Sequence, residues 1–514
     1  MALTVNERLA AALEKASSLA VNNIIQSKLL PSRDQALLIQ QGFLKSVIRG
    51  WYILDADVST NHAGESALWF DSIWGFVSQY LKELFGDEYW LSPESSLDLL
   101  TSSNALPQQI IVYANTSTRT VSLLHDMGLL IINSSKVPYK VMQASGVNVI
   151  SIEGVLADIP PSAYRRDPLS IQLALRMADT SELAAAFEHT RNAAALGRVL
   201  GAYKELGREE EYQQIKRIVE GIGLTSKNES NPFEQPVLQI GESKSENAAA
   251  MRVRALWQTL RDDVENVFSD KPPSFNFNER TIEQIFDDIE ELYVQDAYHS
   301  LSIEGYRVTP ELIEKVRAGS WAPEAVVQDK EARDALAARG YFEAFNAVKA
   351  SLQAMHQGKV SSLSQAIAVG ITDWYTSLFQ LCVTVGLIAP RDIAGYRKGP
   401  VYIRTSRHAS PADIYLRDCM DALKELIEQE PSYPVKAVLG HLCLGYIHPF
   451  PDGNGRTARF LMNFLLTLGG YDWTIVRLED RNTYLSTLDK ASLNQQGKPF
   501  AEFIRLSMEK TREL

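Results

Sequence analysis

The sequence predicts a multidomain, mainly α protein, and three observations carry that reading. Its 514 residues exceed what one ordinary hydrophobic core holds, so two to four domains are expected. Apolar stripes at helical spacing run through most of the second half, from Ile282 onward. Strand-like runs are short and, one hairpin apart, confined to the first 150 residues.

Composition narrows the class. Apolar residues make up 45% and charged residues 22%, the balance of a soluble globular protein. A net charge of −12 provides no global attraction for nucleic acid or an anionic membrane. Cys382, Cys419 and Cys443 are scattered among apolar neighbours, without disulfide or zinc spacing. The first residues lack a signal-peptide core, and no segment is expected to reach transmembrane length. A cytoplasmic protein without a membrane partner is the expectation.

Four regions follow in order. In residues 1–60, Leu9, Ala12, Leu13 and Ala16 form a helical stripe. A second apolar cluster runs through Ile24, Ile25 and Leu29, and a third helix follows Pro31. Phe43–Leu54 alternates like a hairpin. Three helices and a hairpin make a winged helix-turn-helix. Its first fifty residues hold six basic side chains against three acidic ones, a weak footprint for DNA.

Residues 61–225 read as an α/β then helical regulatory module. Strands are expected over Gln109–Tyr113, Leu129–Ile132 and Val147–Ile150, and helices from about Ser170 through Gly221. Residues 226–270 open as a polar stretch with two prolines and are read as a linker. The core domain is expected over 271–514. It opens with a helix over about 281–305, announced by the capping box Thr281–Gln284.

The chemistry concentrates between His448 and Arg459. This stretch lies between two helical patterns and ends by starting the second. Gly453-Asn454-Gly455 lets consecutive N–H groups turn toward one anion, where the helix adds its positive end. Arg456 and Arg459, three residues apart, supply bidentate phosphate contacts. Asp452 is a hard oxygen ligand suited to Mg2+ shared with phosphates. His448 has the side chain that titrates near neutrality, the natural proton acceptor. Phe450, between prolines, anchors the loop to the core. Asp-Gly-Asn-Gly by itself is a common turn. A base, metal ligand, anion nest and arginine pair together are not.

The string His448-Pro449-Phe450-Pro451-Asp452-Gly453-Asn454-Gly455-Arg456-Thr457-Ala458-Arg459 resembles the Fic-domain signature, HxFx(D/E)GNGRxxR, at every defined position. Most members of that family transfer AMP from ATP to a hydroxyl side chain of a protein. The resemblance covers roughly residues 275–510 and implies an all-α core with a hairpin flap. It makes His448 the base toward the target hydroxyl and Asp452 the magnesium ligand. Gly453, Asn454, Gly455, Arg456 and Arg459 would hold ATP phosphates. Ser300, Glu304 and Gly305 fit the family's (S/T)xxxE(G/N) inhibitory motif, whose glutamate pairs with the second arginine, here Arg459. By the same resemblance Val401, Tyr402 and Ile403 belong to the flap that lines up the target segment. Arg481-Asn482-Thr483-Tyr484 resembles the family's R-x-x-Y, which places Tyr484 near adenine. The asparagine expected eight residues later is replaced by Ser492.

Upstream, Gly42-Phe43-Leu44 and Arg49-Gly50-Trp51-Tyr52 resemble the N-terminal domain of AbiEi-type antitoxins from bacterial abortive-infection systems. The combined expectation is an autoinhibited adenylyltransferase using Mg-ATP, acting on a Ser, Thr or Tyr hydroxyl of a protein that includes itself. The alternatives are a DNA-binding regulator with a nucleotide-sensing domain and an enzyme that removes AMP. The oligomeric state stays open.

Overall fold

The computed structural model describes residues 5–55, 65–233, 247–319, 330–399, 401 and 406–513. The chain divides into two compact units, one of residues 1–239 with 401–409 and one of 240–400 with 410–514.

The first unit begins with α1 (Val5–Leu19), β1 (Ile24–Gln26), α2 (Ser32–Gln40) and the hairpin β2 (Leu44–Ile48) and β3 (Trp51–Leu54). The hairpin and the helix after Pro31 agree with the pattern. The second expected helix is absent. Ile24 and Ile25 form β1 instead, paired antiparallel with Ile53 and Tyr52 in a sheet ordered β1-β3-β2. Two adjacent β-branched residues gain more from a cross-strand partner than from a three-residue helical turn.

Residue 60 is not a core boundary. Ile24, Val47 and Trp51 pack in one cluster with Trp69, Ile73 and Phe76 of α3 (Glu65–Phe85) and with the next sheet. That sheet is built from β4 (Tyr89–Leu91), β5 (Gln109–Ala114), β6 (Arg119–Ser122) and β7 (Gly128–Asn133), ordered β4-β5-β7-β6. Only β5 and β7 run parallel among these pairs. The helix α4 (Pro93–Leu100) follows β4, and β8 (Val141–Ala144) and β9 (Val147–Ile150) form a separate ribbon.

Six helices then build their own core: α5 (Ile152–Asp158), α6 (Pro161–Arg166), α7 (Pro168–Met177), α8 (Thr180–Thr190), α9 (Ala193–Glu205) and α10 (Glu209–Gly221). On α9, a Cβ at Gly197 or Gly201 would lie 2.1 or 2.2 Å from the carbonyl oxygens of Asn228 and Ser230. The glycine pair is what lets the following chain lie on the helix. Residues 401–409 belong to this unit. His408 bridges Ala105, and Leu106 N–H donates to the Arg407 carbonyl at 3.0 Å.

The second unit is helical. Its elements are α11 (Ala248–Phe268), α12 (Ile282–Ile303), α13 (Pro310–Arg317), α14 (Lys330–His356), α15 (Leu363–Thr384), α16 (Pro390–Ile393), α17 (Leu416–Gln429), α18 (Tyr433–Ile447), α19 (Asn454–Leu468), α20 (Arg481–Asn494) and α21 (Lys498–Thr511). The linker expected over 226–270 is corrected by α11. Val253, Leu256, Trp257, Leu260 and Val264 fall on one face and are buried against α17, α18 and α21. Val253, Trp257, Leu260 and Val264 fall four, three and four residues apart, the spacing of a core helix, hidden behind its polar preface.

The hydrophobic helix α15 corrects a second expectation, that no segment is long and apolar enough to cross a membrane. It reaches that length and composition. Its Ile367, Ile371, Trp374 and Leu378 are buried in the unit's core, as in a central helix of a folded domain.

At the heart of this unit α18 and α19 pack antiparallel with a short connection between them. Nearly every residue of α19 is buried, so its polar members need partners inside the protein.

Candidate active site

Pro434 starts α18 in its first turn, and the helix runs until His448 adopts a left-handed conformation, φ 51° and ψ 58°. That turn swings the chain out of the helix while His448 N–H still donates to the Leu444 carbonyl at 2.9 Å. Phe450 then anchors the loop as expected, stacked on Tyr375 with ring centroids 3.8 Å apart.

Asn454 closes the loop. Its Oδ1 accepts from Phe450 N–H at 2.9 Å, and its Nδ2 donates to the Phe450 carbonyl at 2.7 Å. The side chain is therefore a brace, while its backbone opens α19. Gly453 has φ +78°, and a Cβ there would lie 2.7 Å from the Phe379 ring. The first intrahelical bond is Thr457 N–H to Gly453 O at 2.9 Å, so the amides of Asn454, Gly455 and Arg456 precede it at the positive helix end.

Arg456 is buried between two rings, 5.2 Å from the Tyr306 centroid and 5.0 Å from that of Phe379. Its Nη2 lies 3.4 Å from Asp452 Oδ2, and its Nε has no hydrogen-bond partner among the described residues. Burial opposes the charge, and Tyr306, Asp452 and Glu304 more than offset it.

Arg459, three residues on, points to the same place. Its Nε donates to Ser300 Oγ at 2.9 Å, and Nη2 donates to Ser300 O at 3.1 Å and Glu304 Oε1 at 2.7 Å. Burial disfavours this cation too, but the Glu304 carboxylate holds it protonated beyond its ordinary range. The same Glu304 oxygen would lie 2.4 Å from a Cβ at Gly455. A carboxylate thus sits against the glycine of the anion nest and on the arginine beside it.

Glu304 reaches this point because α12 stops there. The capping box at Thr281 and Gln284 forms in both directions, and the helix ends where Gly305 takes φ +90°. The turn delivers Tyr306 beneath Arg456. Arg481 Nε donates to the Ile303 carbonyl at 2.9 Å, fixing the helix end from α20. Ser300 and Glu304 thus both bond Arg459, and Gly305 ends the helix that carries them.

His448 is half-buried by exposed area but set deep among protein atoms. Burial lowers its imidazole to about 4, with the nearby Arg397 charge acting in the same sense. Its Nδ1 lies 3.3 Å from the Gly445 carbonyl, which makes Nδ1 the protonated nitrogen and leaves the Nε2 lone pair free. The neutral ring is a competent proton acceptor.

Asp452 is exposed at the mouth, and its Oδ1 accepts from Gly453 N–H at 2.6 Å. No group of three or more His, Cys, Asp or Glu side chains gathers anywhere among the described residues. Asp452 offers one exposed hard oxygen donor at this mouth.

Tyr484 is corrected. Its side chain is 2% exposed, its hydroxyl lies 2.8 Å from His441 Nε2, and its ring packs near Phe500 and Phe503. The ring has no open face for a base, and its neighbour is Arg459. Of the flap residues, Val401 is half-buried and in no strand, while Tyr402 and Ile403 lie outside the described residues.

Sequence reasoning missed Arg397, Tyr306 and Phe379. Arg397 is buried; its Nε donates to the His448 carbonyl at 2.9 Å and its Nη2 to Pro411 O, while its backbone N–H donates to Pro449 O at 2.9 Å. It bolts down the start of the loop from fifty residues away, and only an arginine among surface-like neighbours marked it. Tyr306 could have been found as the residue after a helix-ending glycine.

The chain matches the Fic/DOC family over residues 373–466. Over 228 residues it is 31% identical to the protein adenylyltransferase Fic of Nematostella vectensis, spanning 43% of this chain and 48% of that protein. The corresponding protein of Drosophila yakuba is 32% identical over 229 residues, 44% of this chain and 42% of its own. The chain thus matches a little under half the length of these relatives. A solved structure of C. elegans Fic-1 (residues 134–508) aligns with 68% of this chain and 91% of its own, at 17% identity and a TM-score of 0.37.

Proposed function

We propose that this protein is an adenylyltransferase that moves AMP from ATP to a hydroxyl of a protein, itself included, and that Glu304 holds it inactive. The observation that carries the reading is the Glu304 carboxylate, bonded to Arg459 and seated on Gly455. A negative group bonded to a buried guanidinium and set against Gly455 in the first turn of α19 stands where a phosphate would be held.

The chemistry follows from the free atoms. His448 Nε2 takes the proton of the target hydroxyl, whose oxygen attacks the α-phosphorus. The α–β bond breaks, and the departing pyrophosphate meets Arg456, Arg459 and the amides that open α19. Magnesium, bound through Asp452, would neutralise phosphate charge during transfer. With Glu304 in place, the γ-phosphate finds both its guanidinium and its nest taken by a like charge.

Glu304→Gly should therefore raise autoadenylylation at fixed Mg-ATP. Breaking a partly desolvated pair is worth ~2–4 kcal/mol, on the order of tens- to hundreds-fold. Labelling followed by mass spectrometry reads the outcome; equal or lower labelling in a folded variant would sink the autoinhibition reading. Removal of AMP is the second reading, favoured by the partial exposure of the Glu304 side chain at 29%, which a water can reach. In that case Glu304→Gly loses AMP release from a modified protein, and the two assays separate the readings. A third reading, in which residues 1–60 bind DNA, draws on the helix-then-hairpin order around a β1-β3-β2 sheet. Salt-dependent DNA retention tests it.

A further inference from the structure

Arg459 is also held from its buried side, by side chains that take no part in the chemistry described above. Ser300 and Asp296 lie one turn apart on α12, and Tyr341 faces them from α14; all three are buried. Tyr341 Oη donates to Asp296 Oδ2 at 2.7 Å. The Tyr341 hydroxyl also faces Ser300, and Arg459 Nε donates to Ser300 Oγ at 2.9 Å.

A guanidinium can only donate, so Ser300 Oγ accepts from it, which leaves the serine hydrogen on the side that Tyr341 faces. The phenol then has one hydrogen left, which it gives to Asp296. An ionised carboxylate only accepts, so the series ends there. Burial raises Asp296 to about 6, with Tyr341, Trp473 and Arg459 pulling the other way. The Tyr341 ring is itself fixed against Phe460 of α19, centroids 4.8 Å apart.

Glu304 satisfies only Nη2 of the guanidinium, which also reaches Ser300 O, while Nε is tied to Ser300 Oγ. Loss of Glu304 leaves both serine contacts and the Nη1 edge, 3.3 Å from a Cβ at Gly455, facing the nest. Resting on the adenylyltransferase reading of this site, we propose that Asp296, acting through Tyr341 and Ser300, is a positioning residue that aims Arg459 at the terminal phosphate of ATP.

The test uses the full chain carrying Glu304→Gly, so that inhibition does not mask the effect. Tyr341→Phe, Asp296→Asn and Ser300→Ala each remove one link without adding volume. Calorimetric titration with Mg-ATP and Mg-ADP, and KM and kcat for transfer, are compared with thermal melts. Each variant should weaken ATP roughly three- to tenfold and raise its KM, as loss of a bond to a charged group does, while ADP stays within about twofold. Ser300→Ala with Tyr341→Phe should cost little more than either alone, because they break one series. Equal weakening of ATP and ADP, or unchanged ATP binding, overturns the proposal, since a merely structural defect would not select for the third phosphate. Ser300→Ala, the mildest change, decides the matter should the other two fail to fold. If the Glu304→Gly parent binds neither nucleotide, the functional reading falls and takes this proposal with it. If the parent transfers AMP and the ratio is unmoved, this proposal alone falls.

Discussion

His448 combines a strained backbone with a depressed basicity, and both have one cause. The left-handed turn keeps the imidazole among protein atoms, where its cation loses hydration. A group whose folded value is lowered stays neutral in the fold after the unfolded chain has taken up its proton. Its contribution to stability is present above the ordinary histidine value near 6.5 and is lost as pH falls toward about 4. The catalytic consequence has the same sign. Transfer by Glu304→Gly should hold level below pH 6 and decline only as pH falls through about 4. A pH–rate profile of kcat/KM in that variant measures the limb. An acid limb near 6.5 would show that the ring titrates as if in water. At this scale the motif residues were readable because chemistry restricts residue type. Tyr484 was not, because an aromatic four residues into a helix looks the same whether its ring faces a base or a core.

The loop and its two helices set the next scale. Asn454 closes the turn from within, and Arg397 holds it from outside by donating to the carbonyls of His448, Gly399 and Pro411. Arg397→Met keeps much of the apolar stem and leaves buried carbonyls without donors. The expected cost is ~2–4 kcal/mol in urea unfolding. In the Glu304→Gly background kcat should fall more than tenfold with KM for ATP changed less, because the base is displaced and the nest is not. A variant that loses stability alone would reduce Arg397 to a scaffold role. The helix α12 was legible as an element. Thr281 and Gln284 announced its start and Gly305 its end, and both signals act through local backbone geometry. The expected second helix near Ile24 failed because its strand partner lies some thirty residues away.

Across the whole molecule the decisive correction is α11. Its Val253, Leu256, Trp257, Leu260 and Val264 are buried in the same cluster as α18 and α19. Burying five large apolar side chains is worth on the order of 10 kcal/mol, comparable with the entire stability of a domain. A chain beginning at residue 271 should therefore be expressed unfolded, whereas one beginning at 247 should show a cooperative melt. Circular dichroism with thermal scanning distinguishes them, and a cooperative transition in the shorter chain would contradict the assignment of α11 to this core. Arg261 adds a second tie, its Nε donating to Glu430 at 2.8 Å.

By itself the sequence determined the polar residues gathered at the mouth of α19, the helical nature of the second unit and the limits of α12. Each depends on residue type at short spacing, which the chain cannot hide. Tertiary structure alone decided that Glu304 rests on Gly455, that Arg397 braces His448 and that Asp296 and Tyr341 stand behind Arg459. These contacts join residues forty to more than one hundred and fifty positions apart. Local pattern carries no information about such pairs, because they exist only once burial has forced each polar group to find its partner.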